Sequence, residues 1–354
     1  MKYLLSEAHG IGDCILILPV VKAIKKADPD AYIVVFTKSD RKKIQINKAI
    51  MSLQHYVDEI EYYSVSEKCH SIRFLLKNMI KRFDYGIAIQ DYDTPKTSMI
   101  PSIVLRLCAK KTCGTRITQR SSIRYDMYVD REKGVRRDEL FYRAFEKLGI
   151  NYEKDESNLL DERMIKSNLP DVILNKANKT VAFVMGTAPV SLKTEKGMLK
   201  NDAKSWPYEK WYALAKELSN NNKINVILLG GYKEMEELNS QGFDFSKENI
   251  QNFIGRLKIE QSIALLSLTD FVVGADTGLM HCAGALGKPS LTLFGCTDPK
   301  EYLPFGKNSD YISANVECSP CFGTLNSVKC EHKKCMQLIT TEEVYERINK
   351  QLFK

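Results

Sequence analysis

The sequence predicts an α/β protein made of two consecutive domains, each with a parallel β-sheet and helices on its faces. Short apolar runs alternate with segments of helical periodicity along most of the 354 residues, and this alternation is typical of parallel sheets. The apolar pattern is lost once, between residues 151 and 178, where charge increases. A chain of this length is sufficient for two domains. Two doubly wound domains of similar size are expected to face a deep cleft.

The first predicted domain covers residues 1–160. Its strands are predicted at residues 2–6, 32–36, 57–62, 85–89 and 111–114, and its helices at residues 14–27, 71–83, 100–108 and 141–148. Pro19 is tolerated only in the first turns of a helix, so the first helix is expected to begin close to Asp13. Residues 115–138 are polar and basic with little periodicity, which predicts a long loop.

The second predicted domain covers residues 175–335, and a C-terminal helix is predicted at residues 340–354. Its strands are predicted at residues 180–185, 224–229, 271–273 and 291–294, and its helices at residues 207–218, 234–238 and 259–268. Residues 186–206 are rich in Lys, Ser and Thr and predict a polar loop. Ligands of parallel sheets bind beyond the carboxyl ends of the strands, so functional side chains are expected in the loops that follow them.

Composition excludes several classes of protein. Hydrophobic residues make up 44% of the chain and charged residues 27%, which is typical of a globular protein. No apolar run approaches the roughly 20 residues that span a bilayer. Glu7 and Asp13 interrupt the start of the chain, where a signal peptide would continue apolar. These features predict a cytoplasmic protein.

The net charge of +8 is concentrated in the first half, because residues 1–170 contain 30 Lys and Arg against 23 Asp and Glu. The excess is densest between Lys110 and Arg137. It favours an anionic partner, such as an acidic or phosphorylated glycan, a lipid headgroup or nucleic acid, and the alternative is a solvated basic surface. Few aromatic side chains are interleaved with these cations, which argues against nucleic acid.

The most specific pattern is residues 270–295, DFVVGADTGLMHCAGALGKPSLTLFG. It predicts a strand, a short helix of small residues and a second strand. The N-terminus of such a helix favours an anion, because its N–H groups and its dipole face the strand ends. Asp276, Thr277, Gly278 and His281 lie there and predict a diphosphate site. The alternatives are that Asp276 caps the helix and that His281 is a buried core residue.

A second candidate turn follows the first strand. Gly10-Ile11-Gly12 is similar to the start of a dinucleotide fingerprint, but Ile15 stands where Gly or Ala is required, and Thr37-Lys38 follows the next strand in place of an acidic ribose ligand. Asp13 either caps the following helix or is a general base that accepts a proton from a hydroxyl group.

A third candidate is Lys204, which comes shortly before the helix predicted at residue 207. At the edge of the expected cleft its ammonium group can neutralise a leaving diphosphate, and Trp206 can pack beneath it. The alternative is a solvated surface charge.

In combination, these segments resemble glycosyltransferase family 9, the ADP-heptose:lipopolysaccharide heptosyltransferases. DFVVGADTGLMHCAGALGKPSLTLFGCTDP resembles the D-T-G-x-x-H, G-K-P and F-G elements of that family, and HGIGDCILILPVVKAIKKADP resembles its N-terminal segment. Residues 204–207 are similar to its K-x-W-P element, and residues 253–256 to its G-x element before the last helix. The resemblance runs from Met1 to Cys335.

The resemblance implies a GT-B fold, in which the first Rossmann-like domain binds the acceptor and the second binds the nucleotide sugar. It implies an inverting, metal-independent transfer of a heptose from ADP-heptose to a hydroxyl group of a lipopolysaccharide core glycan, with no cofactor required. Asp13 is then the general base and Lys204 the partner of the diphosphate. The residues implied to bind the nucleotide sugar are Lys204, Glu234, Asp276, Thr277, Gly278 and His281. Glu236 and Glu237 compete with Glu234 for contact with the ribose.

The acceptor stays open. An anionic glycan or glycolipid implies peripheral association with the inner membrane, and a protein acceptor is the alternative within the class, as in the heptosyltransferases that modify autotransporter proteins. From another class, a nucleotide-binding oxidoreductase or epimerase with two Rossmann domains also fits the predicted fold. A metal-clipped scaffold without activity is the third hypothesis.

Four of the ten cysteines lie within 18 residues, at Cys318, Cys321, Cys330 and Cys335. Four thiolates, with one C-x-x-C pair, suit a tetrahedral structural zinc or iron. The heptosyltransferases that modify autotransporter proteins are similar in holding iron with cysteines. Reduced thiols or a disulfide are the alternatives, and His332 is a substitute ligand.

Overall fold

The computed structural model describes residues 1–7, 10–41, 43–90, 99–119, 124–194 and 197–353. The chain divides into two compact units, residues 1–164 and residues 165–354. Each unit contains one six-stranded sheet, and all neighbouring strands of both sheets are parallel. The predicted α/β class with parallel sheets is therefore confirmed.

The strands of the first unit are β1 (Lys2–Glu7), β2 (Tyr32–Lys38), β3 (Glu59–Tyr63), β4 (Phe83–Ala88), β5 (Ala109–Arg116) and β6 (Met127–Asp130). Its helices within the described ranges are α1 (Ile11–Leu16), α2 (Leu18–Ala27), α3 (Ile44–Met51), α4 (Lys68–Lys81), α5 (Ile100–Cys108) and α6 (Arg137–Leu148). The strand order is β3-β2-β1-β4-β5-β6, so the order reverses between β1 and β4. Ligands of open parallel sheets bind at such a switch point, beyond the carboxyl ends of the strands.

The short helix α7 (Glu162–Lys166) lies at the boundary between the units. The strands of the second sheet are β7 (Lys179–Val184), β10 (Ile224–Leu229), β11 (Ile250–Asn252), β12 (Phe271–Ala275), β13 (Ser290–Phe294) and β14 (Ser309–Ser313). An antiparallel hairpin is formed by β8 (Val190–Thr194) and β9 (Gly197–Asn201). The sheet order is β11-β10-β7-β12-β13-β14, which places the switch point between β7 and β12.

The helices described in the second unit are α8 (Tyr208–Ser219), α9 (Tyr232–Ser240), α10 (Ile259–Ser267), α11 (Gly278–Ala285), α12 (Pro299–Tyr302), α13 (Leu325–Lys329), α14 (Lys334–Gln337) and α15 (Thr341–Leu352). In the core of this unit, the rings of Trp206 and Trp211 pack edge to face with centroids 4.7 Å apart. Trp206 Nε1 also donates a hydrogen bond of 3.1 Å to Ile339 O. The backbone next to Lys204 is therefore anchored in the core.

The structure differs from the sequence prediction at short elements. The helix predicted at residues 14–27 is two helices, and Pro19 lies in the first turn of α2, where its missing N–H group costs no hydrogen bond. The loop predicted at residues 115–138 contains β6, and residues 120–123 of that loop lie outside the described residues. The loop predicted at residues 186–206 contains the β8–β9 hairpin. None of the helices in the described ranges combines the length and apolarity that a bilayer span requires.

Candidate functional site

In the first unit, Asp13 follows β1 at the switch point of the sheet and is the third residue of α1. Its Oδ2 accepts a hydrogen bond of 2.9 Å from the backbone N–H of Gly10. Its Oδ1 accepts one of 2.6 Å from Nη1 of Arg137, the first residue of α6. The same guanidinium donates from Nη2 to Ile89 O at 3.1 Å. The structure therefore shows the predicted cap, and it also shows a carboxylate fixed at both oxygens.

A second carboxyl group, that of Glu7 at the end of β1, is buried near this pair. Among the described residues its Oε1 has no hydrogen-bond partner, and Oε2 lies 3.9 Å from the Cys14 thiol. Burial and then the negative charge of Asp13 raise the pKa of Glu7 well above its ordinary value, and the cation of Arg137 opposes the shift. These effects favour the protonated form of Glu7.

In the second unit, the turn after β12 places Asp276, Thr277 and Gly278 at the switch point. Thr277 is the N-cap of α11, and its side chain makes no capping hydrogen bond. The prediction that Asp276 caps this helix is therefore not what the structure shows. At a helix N-terminus without a side-chain cap, the N–H groups of the first turn can donate hydrogen bonds to an anion.

Lys204 joins this turn. Its Nζ lies 3.1 Å from Asp276 Oδ2, and the two side chains are only 14% and 5% exposed. The ammonium also lies 5.7 Å from the centroid of the Phe322 ring. Lys204 is thus a partly buried, paired cation beside a helix N-terminus, and the alternative of a solvated surface lysine does not hold.

Glu234 is the third residue of α9 and is buried, whereas Glu236 and Glu237 are exposed. Its Oε2 accepts a hydrogen bond of 2.7 Å from the backbone N–H of Gly231. A Cβ atom added to Gly186, which follows β7, would lie 3.0 Å from the same oxygen. Of the three competing glutamates, Glu234 is therefore the one whose carboxylate lies at the strand ends.

His281 lies on α11, three residues beyond the start of the helix, and the residue is 4% exposed. This position agrees with the alternative of a buried core histidine. It also keeps the imidazole on the helix that carries Thr277 and Gly278.

The four clustered cysteines are free thiols. Among the described residues, no group of three or more His, Cys, Asp or Glu side chains is placed to hold a metal ion. The prediction of zinc or iron at Cys318, Cys321, Cys330 and Cys335 is thus not supported, and these residues do not fit a tetrahedral site in this arrangement. Cys318 is exposed, whereas Cys335 is buried and its burial raises the pKa of its thiol.

The cysteine segment is attached to the sheet by main-chain hydrogen bonds. The N–H groups of Cys321 and Phe322 donate to Cys296 O, just beyond β13, at 2.9 and 2.8 Å. Asn201 Nδ2 of β9 donates to Cys330 O at 2.6 Å. The segment therefore holds the Phe322 ring next to Lys204.

The predicted residues thus form two groups at strand ends, one around Asp13 and one around the pair of Lys204 and Asp276. Sequence reasoning missed Arg137 and Phe322 as their partners. Arg137 is 124 residues from Asp13, and no local pattern connects them. The sequence did contain a signal that Glu7 is functional. This acidic residue ends an apolar strand just before a glycine turn, where burial is expected, and buried acidic residues are rare.

Comparison with known proteins finds related chains. The profile of glycosyltransferase family 9 (heptosyltransferase) matches residues 74–332. Lipopolysaccharide heptosyltransferase 1 of Salmonella typhimurium is 31% identical over 134 residues, which are 35% of this chain and 40% of that protein. The chain therefore matches less than half of the length of this curated relative.

Two solved structures from E. coli cover nearly the whole chain. Heptosyltransferase WaaC with ADP has a TM-score of 0.72 and 20% identity, over 99% of this chain and 100% of that chain. The ADP-heptose lps heptosyltransferase II has a TM-score of 0.71 and 20% identity, over 99% of this chain and 98% of that chain. At this identity the likeness shows a shared fold, and the predicted GT-B fold with two Rossmann-like sheets is confirmed.

Proposed function

This chain belongs to glycosyltransferase family 9, the heptosyltransferase family, and we propose that it transfers a heptose from ADP-heptose to a hydroxyl group of a lipopolysaccharide core glycan. One observation carries the proposal: Lys204 and Asp276 form a partly buried ion pair at the N-terminus of α11. The N-cap residue of this helix, Thr277, makes no capping hydrogen bond with its side chain. Two relatives support the choice of substrates, since one is an ADP-heptose lps heptosyltransferase and another is complexed with ADP.

The donor diphosphate binds at the N-terminus of α11 in this proposal. The N–H groups of the first turn and the positive end of the helix dipole stabilise its negative charge. Lys204 contributes a full positive charge, and low exposure strengthens that interaction because water screens it less. Glu234 accepts a hydrogen bond from the ribose, and His281 contacts the nucleotide sugar. Asp276 holds Lys204 in place before the donor arrives.

Asp13 is the general base. It accepts the proton of the acceptor hydroxyl as that oxygen attacks the anomeric carbon, and the bond to ADP breaks on the opposite face of the sugar. The configuration at the anomeric carbon is therefore inverted. The charge that develops on ADP is stabilised by Lys204 and the helix N-terminus, so the step requires no metal ion.

The acceptor is an anionic core glycan carried on a lipid. The positive charge of the first half of the chain, +7 for residues 1–170, favours such an acceptor there. Because that acceptor is membrane-bound, the protein acts at the cytoplasmic side of the inner membrane as a peripheral enzyme.

The test uses purified protein, ADP-heptose and a deacylated core acceptor. We expect release of ADP and an acceptor heavier by one heptose in mass spectrometry, with the same rate after EDTA treatment. Asp13→Asn should lower kcat by about 100- to 10,000-fold, the usual contribution of a general base. Lys204→Met should weaken ADP binding. The control is Asp30→Asn, at an exposed carboxylate, which should change neither kcat nor the affinity for ADP. NAD binding without any release of ADP would contradict the proposal and favour an oxidoreductase.

A further inference from the structure

Helix α4 presents an apolar ridge to solvent. Of its 14 residues only Phe74 and Asn78 are buried. Ile72, Leu76 and Ile80 are 57%, 54% and 84% exposed. Residues four apart share one face of a helix, so these three branched side chains form a continuous ridge on the side opposite to the buried residues.

Helix α5 repeats the arrangement beside it. Ile103 and Leu107 are four residues apart and each is 49% exposed. The two helices connect β3 to β4 and β4 to β5, and both pack on one cluster that includes Phe74 of α4 and Leu105 of α5. Right-handed crossovers in the same direction place both helices on the same side of the sheet. We call their joint outer surface the α4–α5 face, and its exposed apolar residues are Ile72, Leu76, Met79, Ile80, Met99, Ile103 and Leu107.

The α4–α5 face is also basic. Neither helix contains an acidic residue, and their basic residues are Lys68, Arg73, Lys77, Lys81 and Arg106. Lys77 and Lys81 pair with glutamates of β3, whereas Lys68 and Arg73 form no ion pair with any residue that the structure describes. The whole stretch of residues 68–111 contains nine Lys and Arg against three Asp and Glu.

We propose that the α4–α5 face docks on the surface of an anionic lipid bilayer. Exposed aliphatic side chains flanked by Lys and Arg are the features of helices that lie in the headgroup region, with the apolar side chains inserted and the cations against lipid phosphates. A cluster of large apolar side chains at these exposures marks an interaction surface and not ordinary solvent contact. The inference deepens the proposed function and rests on it in one respect, that the acceptor glycan is carried on a lipid.

A second copy of the chain fits this face less well. Closed dimers use the same patch on both subunits, so the unpaired cations of Lys68 and Arg73 would face the same cations of the partner. With no acidic residue on either helix, such a contact brings like charges together, which disfavours association. Anionic lipid supplies the charge that the face lacks.

The test is sedimentation with vesicles of phosphatidylcholine, prepared with or without phosphatidylglycerol and without any glycolipid. The apolar variant is Ile72→Gln/Leu76→Gln/Ile80→Gln, and its matched control is Ile173→Gln, since Ile173 is 84% exposed in the second unit. The charge variant is Lys68→Gln/Arg73→Gln. We expect wild type and the control to bind only the anionic vesicles. The apolar variant should bind more than about tenfold more weakly, and the charge variant about fivefold more weakly for each cation at low salt.

Absence of wild-type binding to the anionic vesicles would overturn the inference, as would equal binding by the apolar variant and its control. Analytical ultracentrifugation tests the alternative that a second copy of the chain covers this face. If the wild type forms an oligomer and the apolar variant is a monomer, the face is a subunit interface, and this result would also overturn the inference. Transfer to the deacylated acceptor in solution should be unchanged in all variants. Failure of that reaction in the wild type would count against the proposed function alone, because the vesicles contain no acceptor.

Discussion

At the scale of single residues, the candidate base Asp13 is fixed before any substrate arrives. Its two carboxylate oxygens accept hydrogen bonds from the Gly10 N–H and from Arg137. Arg137 is itself fastened to Ile89 O, just beyond β4. A base held in one orientation loses less entropy when the acceptor hydroxyl approaches. If Asp13 is the base, as proposed, we expect Arg137 to act through it as a positioning residue.

Replacing Arg137 by Met should lower kcat for heptose transfer by about 10- to 100-fold, because a misplaced base loses rate at this scale, and should leave the KM for the donor nearly unchanged. Arg137→Lys keeps the positive charge but lacks the two N–H groups that reach Asp13 and Ile89 O together, so it should recover part of the rate. Steady-state kinetics measure both. The control is Arg143→Met on the same helix, where the side chain pairs with Glu132. Equal losses in the Arg137→Met variant and the control would contradict the positioning role.

Glu7 gives the site a pH-dependent cost in stability. Burial and the nearby Asp13 charge raise the pKa of Glu7 well above its ordinary value. The folded protein therefore retains a proton that the unfolded chain releases, so stability falls as pH rises from about 4.3, the ordinary pKa of Glu, through the folded-state pKa. Glu7→Gln mimics the protonated acid, and because glutamine does not ionise, the variant does not lose stability in this way as pH rises. The Tm of this variant relative to wild type should thus be higher at about pH 8 than at about pH 5.

Thermal unfolding followed by calorimetry at the two pH values measures this difference. The control is Glu317→Gln, at an exposed carboxylate of the second unit. Its Tm difference from wild type should be the same at both pH values. A Glu7→Gln difference that is the same at both pH values would show that the wild-type carboxyl ionises without cost in the folded protein, and a difference that shrinks as pH rises would show that the fold favours its ionised form.

At the scale of elements, the cysteine segment contacts Lys204, which pairs with Asp276 in the turn before α11. The Phe322 ring lies 5.7 Å from Lys204 Nζ and packs edge-on against Tyr302 with centroids 5.7 Å apart. An ammonium group over an aromatic ring is stabilised by about 0.5 to 1 kcal/mol at exposed sites. The segment thereby contributes to the position of Lys204.

Replacing Phe322 by Leu should weaken ADP binding by about two- to fivefold, the loss expected from one cation–π contact. Isothermal titration calorimetry with ADP measures the change. Phe353→Leu is the control, since Phe353 is 53% exposed near the C-terminus. An unchanged ADP affinity in the Phe322 variant would mean that Asp276 alone positions Lys204.

The turns that carry the site were predictable because each is local. At residues 10–13 and at residues 276–278, a strand, a turn and a helix start follow one another within a few residues, and their chemistry can be read along the chain. The partners of these turns were not predictable, because Arg137 and Phe322 reach them only through the fold. The edge strand β6 and the β8–β9 hairpin were missed because short exposed strands lack the continuous apolar runs of buried parallel strands.

At the scale of the whole molecule, the two groups of candidate site residues lie in different units. The first unit contains Asp13 and Arg137 at its switch point, and the second contains Lys204 and Asp276 at its own. Each group is held by contacts within its own unit. The proposed base and the proposed diphosphate-binding groups therefore belong to different units, each with its own six-stranded sheet.

This division predicts which amides each ligand protects from hydrogen exchange. ADP should slow hydrogen exchange in peptides that cover residues 203–206 and α11. The ligand accepts hydrogen bonds from the first-turn N–H groups of α11 and orders the segment that contains Lys204. Exchange in α1 should stay the same. A deacylated core acceptor should instead slow exchange in α1 and in the first turn of α6, where Asp13 and Arg137 lie. Hydrogen exchange with mass spectrometry measures both patterns, with inorganic phosphate as the control ligand. Protection of α1 by ADP, with none at α11, would reverse the assignment of donor and acceptor to the two units.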